Sequence, residues 1–164
     1  MLRPGGITVE MLRKIGCTVK LAAAVTAGLK EGETVLSPGM KYKHYAPKAP
    51  LTLLDGDTAQ RKAFLQKKTE VLVKQGKNCA ILAYREETQD FLEAFPHHTV
   101  LDLGSKTDEN EQAHLLFTRL RDTDTLQIDE IYAPLPGMTG MGLALYNRMI
   151  RAAAHKIITL SNKE

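Results

Sequence analysis

The sequence predicts an α/β protein: a small Rossmann-like three-layer domain with a mainly parallel sheet, preceded by an extended linker. Three observations carry this expectation. After Pro50, short apolar runs alternate with amphipathic segments of helical length. The run Cys79–Tyr84 (CAILAY) is apolar almost throughout, as a strand covered on both faces must be. Upstream, Pro38, Pro47 and Pro50 crowd into thirteen residues and exclude a helix or central strand there.

Taken in order, LRPGGIT has the character of a strand end running into a turn at Pro4-Gly5-Gly6. Thr8 can cap a short helix carrying Val9, Met11, Leu12 and Ile15 and closed by Gly16. One strand end and one short helix cannot build a core, so this piece resembles the tail of something larger. Residues 19–50 hold no convincing element, and so long a structureless run suits an interdomain linker or functional loop. Strands are then expected at Leu51–Leu54, Cys79–Tyr84, Thr99–Leu103 and Ile128–Ala133. Helices are expected from Asp57 or Thr58 to about Lys74, with Phe64, Leu65, Val71 and Leu72 on the inner side. Further helices should cover Glu87–Phe95, Glu109–Arg121 and Leu143–Ala154.

Composition bounds the function classes. At 164 residues, 43% hydrophobic and 25% charged, the chain can build one soluble domain with an aliphatic core. No apolar run reaches the ~18–20 residues of a membrane span, and MLRPGGITVE lacks an apolar secretory region, so a cytoplasmic location and no membrane partner are expected. Cys17 and Cys79 stand far apart without metal-site spacing, which suits two inert thiols. No metal site is expected. The net charge of +3 is too small to argue for nucleic acid, but Lys41, Lys43 and Lys48 carry the whole excess in a stretch without Asp or Glu.

That stretch, SPGMKYKHYAPKAP (residues 37–50), is the strongest local signal. Side chains of an extended chain alternate, so Tyr42 and His44 should point one way and Lys41, Lys43 and Tyr45 the other. Such a strap can offer cations to phosphates and a ring to a purine, with proline stiffening limiting the entropy lost on docking. A solvated linker with incidental aromatics has the same composition, and both readings stay open at this level.

SPGMKYKHYAP resembles the linker motif joining the two domains of long-form L-threonylcarbamoyladenylate synthases. LRPGGIT is similar to the last strand and turn of their YrdC-like catalytic domain, Arg3 included. AHLLFTRLRDTD, IDEIYA and GMGLALYNRMIRAAA resemble motifs of their C-terminal domain, in the family's order over nearly the whole chain. The resemblance implies that residues 1–18 are the end of the catalytic domain, 19–50 an interdomain linker and lid, and 51–164 a Rossmann-like C-terminal domain. It implies an enzyme that makes threonylcarbamoyl-AMP from L-threonine, bicarbonate and ATP, with Mg2+, for threonylcarbamoyladenosine in tRNA. Arg3 would contact ATP, Lys41 and Lys43 would approach its phosphates, and Tyr42, His44 and Tyr45 would close the site. Nearly all of the catalytic domain would lie upstream of Met1. The isolated chain is therefore expected to hold no catalytic residue, to bind no cofactor alone and to be inactive, its partner being the YrdC-like domain and tRNA an indirect one. The alternative is a stand-alone nucleotide- or tRNA-binding regulatory module acting in trans.

A second candidate is the loop Pro136–Gly142, whose Gly137, Gly140 and Gly142 open a helix and can cradle a phosphate through backbone amides. It follows the last expected strand and lacks an acidic ribose partner downstream, so a tight helix–sheet turn is the preferred reading. Asn147 and Arg148 match an Asn-Arg pair of the resembled family and are expected to anchor the loop. His97-His98 suits a surface turn, and Arg119, Arg121, Asp122 and Asp124 a charged helix end.

Overall fold

The structure is a computed structural model that describes residues 1, 4–22, 25 and 46–160. Helix α1 spans Val9–Lys14, and the Thr8 side chain accepts the Met11 N–H at its start. Gly16, at φ +87°, ends it: its N–H reaches the Arg13 carbonyl while the Cys17 N–H reaches that of Leu12. Then follow β1 (Leu51–Asp55), α2 (Thr58–Lys74), β2 (Cys79–Ala83), α3 (Arg85–Ala94), β3 (Thr99–Asp102), α4 (Glu109–Thr125), β4 (Glu130–Pro134), α5 (Gly142–Ala152) and β5 (Ile157–Thr159).

The five strands form one sheet in the order β3-β2-β4-β1-β5, parallel at every pairing. Alternation sorts the side chains into two apolar layers. Leu51, Leu53, Ala80, Leu82, Ile131 and Ala133 meet Leu116 and Leu120 of α4 and Leu145, Met149 and Ile150 of α5. Leu54, Cys79, Ile81, Ala83 and Tyr132 meet Leu65 and Leu72 of α2 and Phe91 of α3. The result is a three-layer α/β fold with an all-parallel sheet, the class the sequence predicts.

The helices α2 and α4 bury one stripe each with the same spacing: Arg61, Leu65, Thr69 and Leu72, then Gln112, Leu116, Leu120 and Thr123. Val71, expected on the inner side of α2, is 46% exposed; Thr69 takes the place, its hydroxyl donating to the Leu65 carbonyl. Helix α5 is different. Every residue from Gly142 to Asn147 is buried, as are Met149 and Ile150. A helix buried on so many sides must be covered twice. The sheet covers one side, and the cluster of Val9, Val25 and Leu143, flanked by Met1, Val19 and Ala22, covers another.

Several boundaries differ from the expected ones, the strand ends by one or two residues. Helix α3 starts at Arg85, two residues early, with Tyr84 at its N-cap, and α4 runs on to Thr125. Helix α5 stops at Ala152 because Ala154 (φ 48°) and His155 (φ 64°) turn left-handed, without the glycine that usually marks such an end. The fifth strand, β5, is three residues long and was not expected. No strand is assigned among the described residues of LRPGGIT.

Between β1, β2, α2 and α3 lies a buried ionic group. Arg61 pairs with Glu87 at 2.6 Å, donates to the Gly56 carbonyl, and stands 5.5 Å from the centre of the Tyr84 ring. Thr58 donates to the same Glu87 oxygen, Oε1, while Oε2 is buried without a partner. Removing one member of such a pair strands a charge, whereas removing both does not. Arg61→Met is expected to cost about 3–5 kcal/mol by denaturant unfolding, and adding Glu87→Leu should recover most of it. Asp57, whose side chain accepts the Gln60 N–H while Gln60 returns a bond to the Asp57 N–H, forms a capping box on α2. Asp57→Ala should lower stability by about 1 kcal/mol, read from the same unfolding curves.

Candidate functional site at the carboxyl edge of the sheet

In parallel sheets ligands gather beyond the carboxyl ends of the strands. Here that edge holds Gly56 after β1, Tyr84 after β2, Gly104 after β3 and the glycine loop after β4. Two of the loop's amide donors are engaged within the chain. The Gly142 N–H donates to Glu109 Oε2 at 2.7 Å, and the Gly140 N–H to Glu10 Oε1 at 3.4 Å. A Cβ at Gly142 would collide with Glu109 Oε1 and lie 2.9 Å from the Gly137 carbonyl oxygen, so glycine is required there. Gly140 sits at φ +54°, and at Gly137 a side chain would make only ordinary contact. Glu109, in the first turn of α4, thus places a carboxylate where an anion at the start of α5 would sit. Glu10, from α1, adds another, and its carboxyl is held below the usual range by backbone and Thr8 hydrogen bonds, with the Gly140 amide contributing.

Asn147 completes the arrangement. It is buried, and its Nδ2 donates to the Val25 carbonyl at 2.6 Å. The Arg148 guanidinium lies 5.4 Å from the centre of the Phe117 ring on α4. Gly140 and Asn147 therefore hold the chain's own amino-terminal segment against α5, while Gly142 takes the Glu109 carboxylate of α4. Asn147, expected to anchor the glycine loop, instead bonds to the amino-terminal segment at Val25. Glu109 and Glu10 were missed: their partners lie 33 and 130 positions away, and no local pattern announces so distant a contact.

A second group fixes the loop after β3. Arg85 reaches Asp102 at 3.2 Å and Glu111 through both terminal nitrogens, while Glu111 and Glu86 accept the Ser105 and Lys106 amides. The Arg85 bond to Glu111 and the Ser105 hydroxyl's bond to Glu86, with those amides behind them, hold both glutamates below the ordinary carboxylate range. At the opposite edge, Asp124 accepts the Lys48 N–H at 2.7 Å, Ala49 enters the core, and the Pro50 carbonyl accepts the Ile131 N–H. A polar cleft of about 530 Å³ opens beside this contact, lined by Lys48, Asn78, Asp124 and Asp129.

Arg3, Lys41, Tyr42, Lys43, His44 and Tyr45 lie outside the described residues. His97 and His98 occupy a turn, with His98 Nδ1 taking the Cys79 N–H and burial holding the ring below its usual pKa. Burial pushes the Cys79 thiol up to about 12, which suits an inert thiol; Cys17 is exposed. Among the described residues no three His, Cys, Asp or Glu are grouped to hold a metal ion, and no helix is long and apolar enough to cross a membrane.

Comparison with known proteins supplies the family. The profile described as threonylcarbamoyl-AMP synthase, C-terminal domain, matches residues 7–154. The threonylcarbamoyl-AMP synthase of Bacillus subtilis is 31% identical over 159 residues, 96% of this chain and 42% of that protein. That of Pyrococcus abyssi is 30% identical over 158 residues, 96% of this chain and 43% of its own. The crystal structure of P. abyssi Sua5 complexed with L-threonine matches with a TM-score of 0.78 at 28% identity, over 98% of this chain and 44% of that one. A structure of P. abyssi Sua5 with an adjacent histidine and tyrosine both replaced by alanine gives 0.79 at 26% identity, over 99% of this chain and 44% of its own. The chain spans less than half the length of the curated relatives it matches. It belongs to the family of threonylcarbamoyl-AMP synthase C-terminal domains.

Proposed function

We propose that this chain serves as the accessory C-terminal part of an enzyme that makes threonylcarbamoyl-AMP from L-threonine, bicarbonate and ATP, its linker acting as a lid over the active site of a YrdC-like catalytic domain. The observation that carries the reading is that the linker is tied at both ends to the same α/β domain. Asn147 holds Val25 on α5, and Asp124 and the core hold Lys48 and Ala49 before β1. Residues 26–47 lie between the anchors, and at ~3.3 Å each a segment that leaves and returns can reach out about 35 Å, about twice the ~17 Å of a five-residue strand. A tether with that surplus can extend into a neighbouring domain and return.

The chemistry explains why such a strap is useful. Threonine nitrogen bonds to the bicarbonate carbon with loss of water. A carbamate oxygen then bonds to the α-phosphorus of ATP as the bond to pyrophosphate breaks. Charge gathers on phosphate oxygens, where Lys41 and Lys43 would help and Arg3 would contact ATP from the other side. Tyr42, His44 and Tyr45 would cover the nucleotide and exclude water, which hydrolyses both carbamate and acyl adenylate. An adjacent His-Tyr pair is the one replaced in the P. abyssi variant, and this sequence has such a pair once, at His44-Tyr45. ATP and Mg2+ are assigned to the catalytic domain, the product to tRNA modification, and the location to the cytoplasm. The stand-alone module acting in trans has less support, because the loop amides it would offer a nucleotide already hold Glu109 and Glu10.

The test adds the chain to a separately produced catalytic domain and follows pyrophosphate release from ATP, threonine and bicarbonate. The chain alone should be inactive, and its addition should raise the rate roughly 10-fold or more. Tyr42→Ala with His44→Ala should remove most of that rise, and an unchanged rise would refute the lid.

A further inference from the structure

Between the end of α2 and the turn that joins α3 to β3 lies a cavity of about 440 Å³. It sits where β2 and β3 begin, at the end of the sheet away from the glycine loop. Its walls are apolar, formed by Val73 of α2 with Ala94, Phe95 and Pro96. Val73 is 50% exposed and Phe95 only 2%, so these walls run from solvent down to the core. Ligand cavities have this size and character, with a few polar groups that fix the orientation of what they hold.

The polar group here is His98, which also lines the cavity. The Cys79 N–H donates to its Nδ1 at 3.3 Å, so that nitrogen offers a lone pair and the ring proton sits on Nε2. In this tautomer the ring has no proton to give the Asn78 side-chain oxygen, 3.3 Å from Nδ1. Nε2 is buried and makes no hydrogen bond. Burial lowers the pKa of the ring, and the Thr69 backbone, which favours the charged form, does not reverse this. A neutral imidazole thus keeps one donor unsatisfied at an apolar cavity, and native structures leave few buried donors in that condition.

The rim decides the charge of the occupant. Glu70 and Lys74 stand one turn apart on α2 with opposite signs, and His97 is exposed beside them. Such a rim favours neither sign, and an ion would lose hydration against the walls. We propose that the cavity binds a small uncharged molecule with an aromatic or branched apolar body and a carbonyl oxygen, which accepts a hydrogen bond from His98 Nε2. Because Nε2 has no contact with solvent, the molecule reaches it by displacing a rim side chain. Val73 and Lys74, both exposed, are the ones able to turn aside. The site needs neither the strap nor a catalytic domain, so it stands apart from the accessory role.

The test titrates the chain with benzylacetone, which joins a phenyl ring to a ketone, and with butylbenzene, which lacks the oxygen. Heteronuclear NMR of the backbone amides and of the His98 ring reports binding. Shifts are expected within residues 69–74 and 94–98 and at the Nε2 proton. Benzylacetone should bind at least about 10-fold more tightly than butylbenzene, the worth of one hydrogen bond. Val73→Glu, which sets a charge among the apolar walls, should weaken benzylacetone about 5-fold or more. The comparison of the two probes on the unaltered chain decides the matter even where that variant does not fold. No binding of benzylacetone at about 1 mM, equal or reversed affinities, or shifts scattered over the surface would overturn the proposal. So would a crystal structure with an ordered water on Nε2 that benzylacetone leaves in place, since solvent would then satisfy the donor.

Discussion

At the start of α5 a buried amide, two carboxylates and a small apolar cluster hold together three stretches of chain that are far apart in sequence. Asn147 bonds to the Val25 carbonyl, Glu109 and Glu10 occupy the glycine loop, and Val9 and Val25 close over Leu143. The energetic weight of the arrangement comes from what breaking it would leave behind. A buried carbonyl without its donor costs about 1–3 kcal/mol, comparable to a large side chain left in water. That contact and its counterpart at Asp124 place Val25 and Lys48 against the α/β domain.

The glycine loop shows how one geometry serves two ends. Amides exposed at a helix start attract negative charge whether it comes from a phosphate or a side chain. In this chain the charge comes from α4 and α1, so the loop joins structure to structure. Gly142 is required by the close approach of Glu109 and of the Gly137 carbonyl, whatever else the loop does.

The layers were legible in the sequence where periodicity and capping agree. The cap expected at Asp57 or Thr58 and the apolar runs of β1, β2 and β4 each announce their element. The stripe on α2 misled at Val71, because Thr69 satisfies its own hydroxyl on the Leu65 carbonyl and can be buried without penalty. Strand β5 escaped because three residues after a glycine-free turn carry too little pattern. The site was less legible. Asn147 and the glycines are visible as types, but their partners at Val25, Glu109 and Glu10 are set by tertiary packing, and the lysines and tyrosines of the strap lie outside the described residues. Helix α5 did hold a signal in GLALYN, a helical start with no charged face, which means cover on more than the sheet side.

Hydrogen exchange addresses the anchor most directly, comparing the intact chain with Asn147→Leu, which keeps the side chain's size but removes its donor. Peptides covering residues 8–22 should exchange about 10-fold faster in the variant, while those from β1 and β2 keep their protection. Unchanged exchange in residues 8–22, or an equal loss throughout the sheet, would contradict the claim that α5 holds the amino-terminal segment and the linker through Asn147.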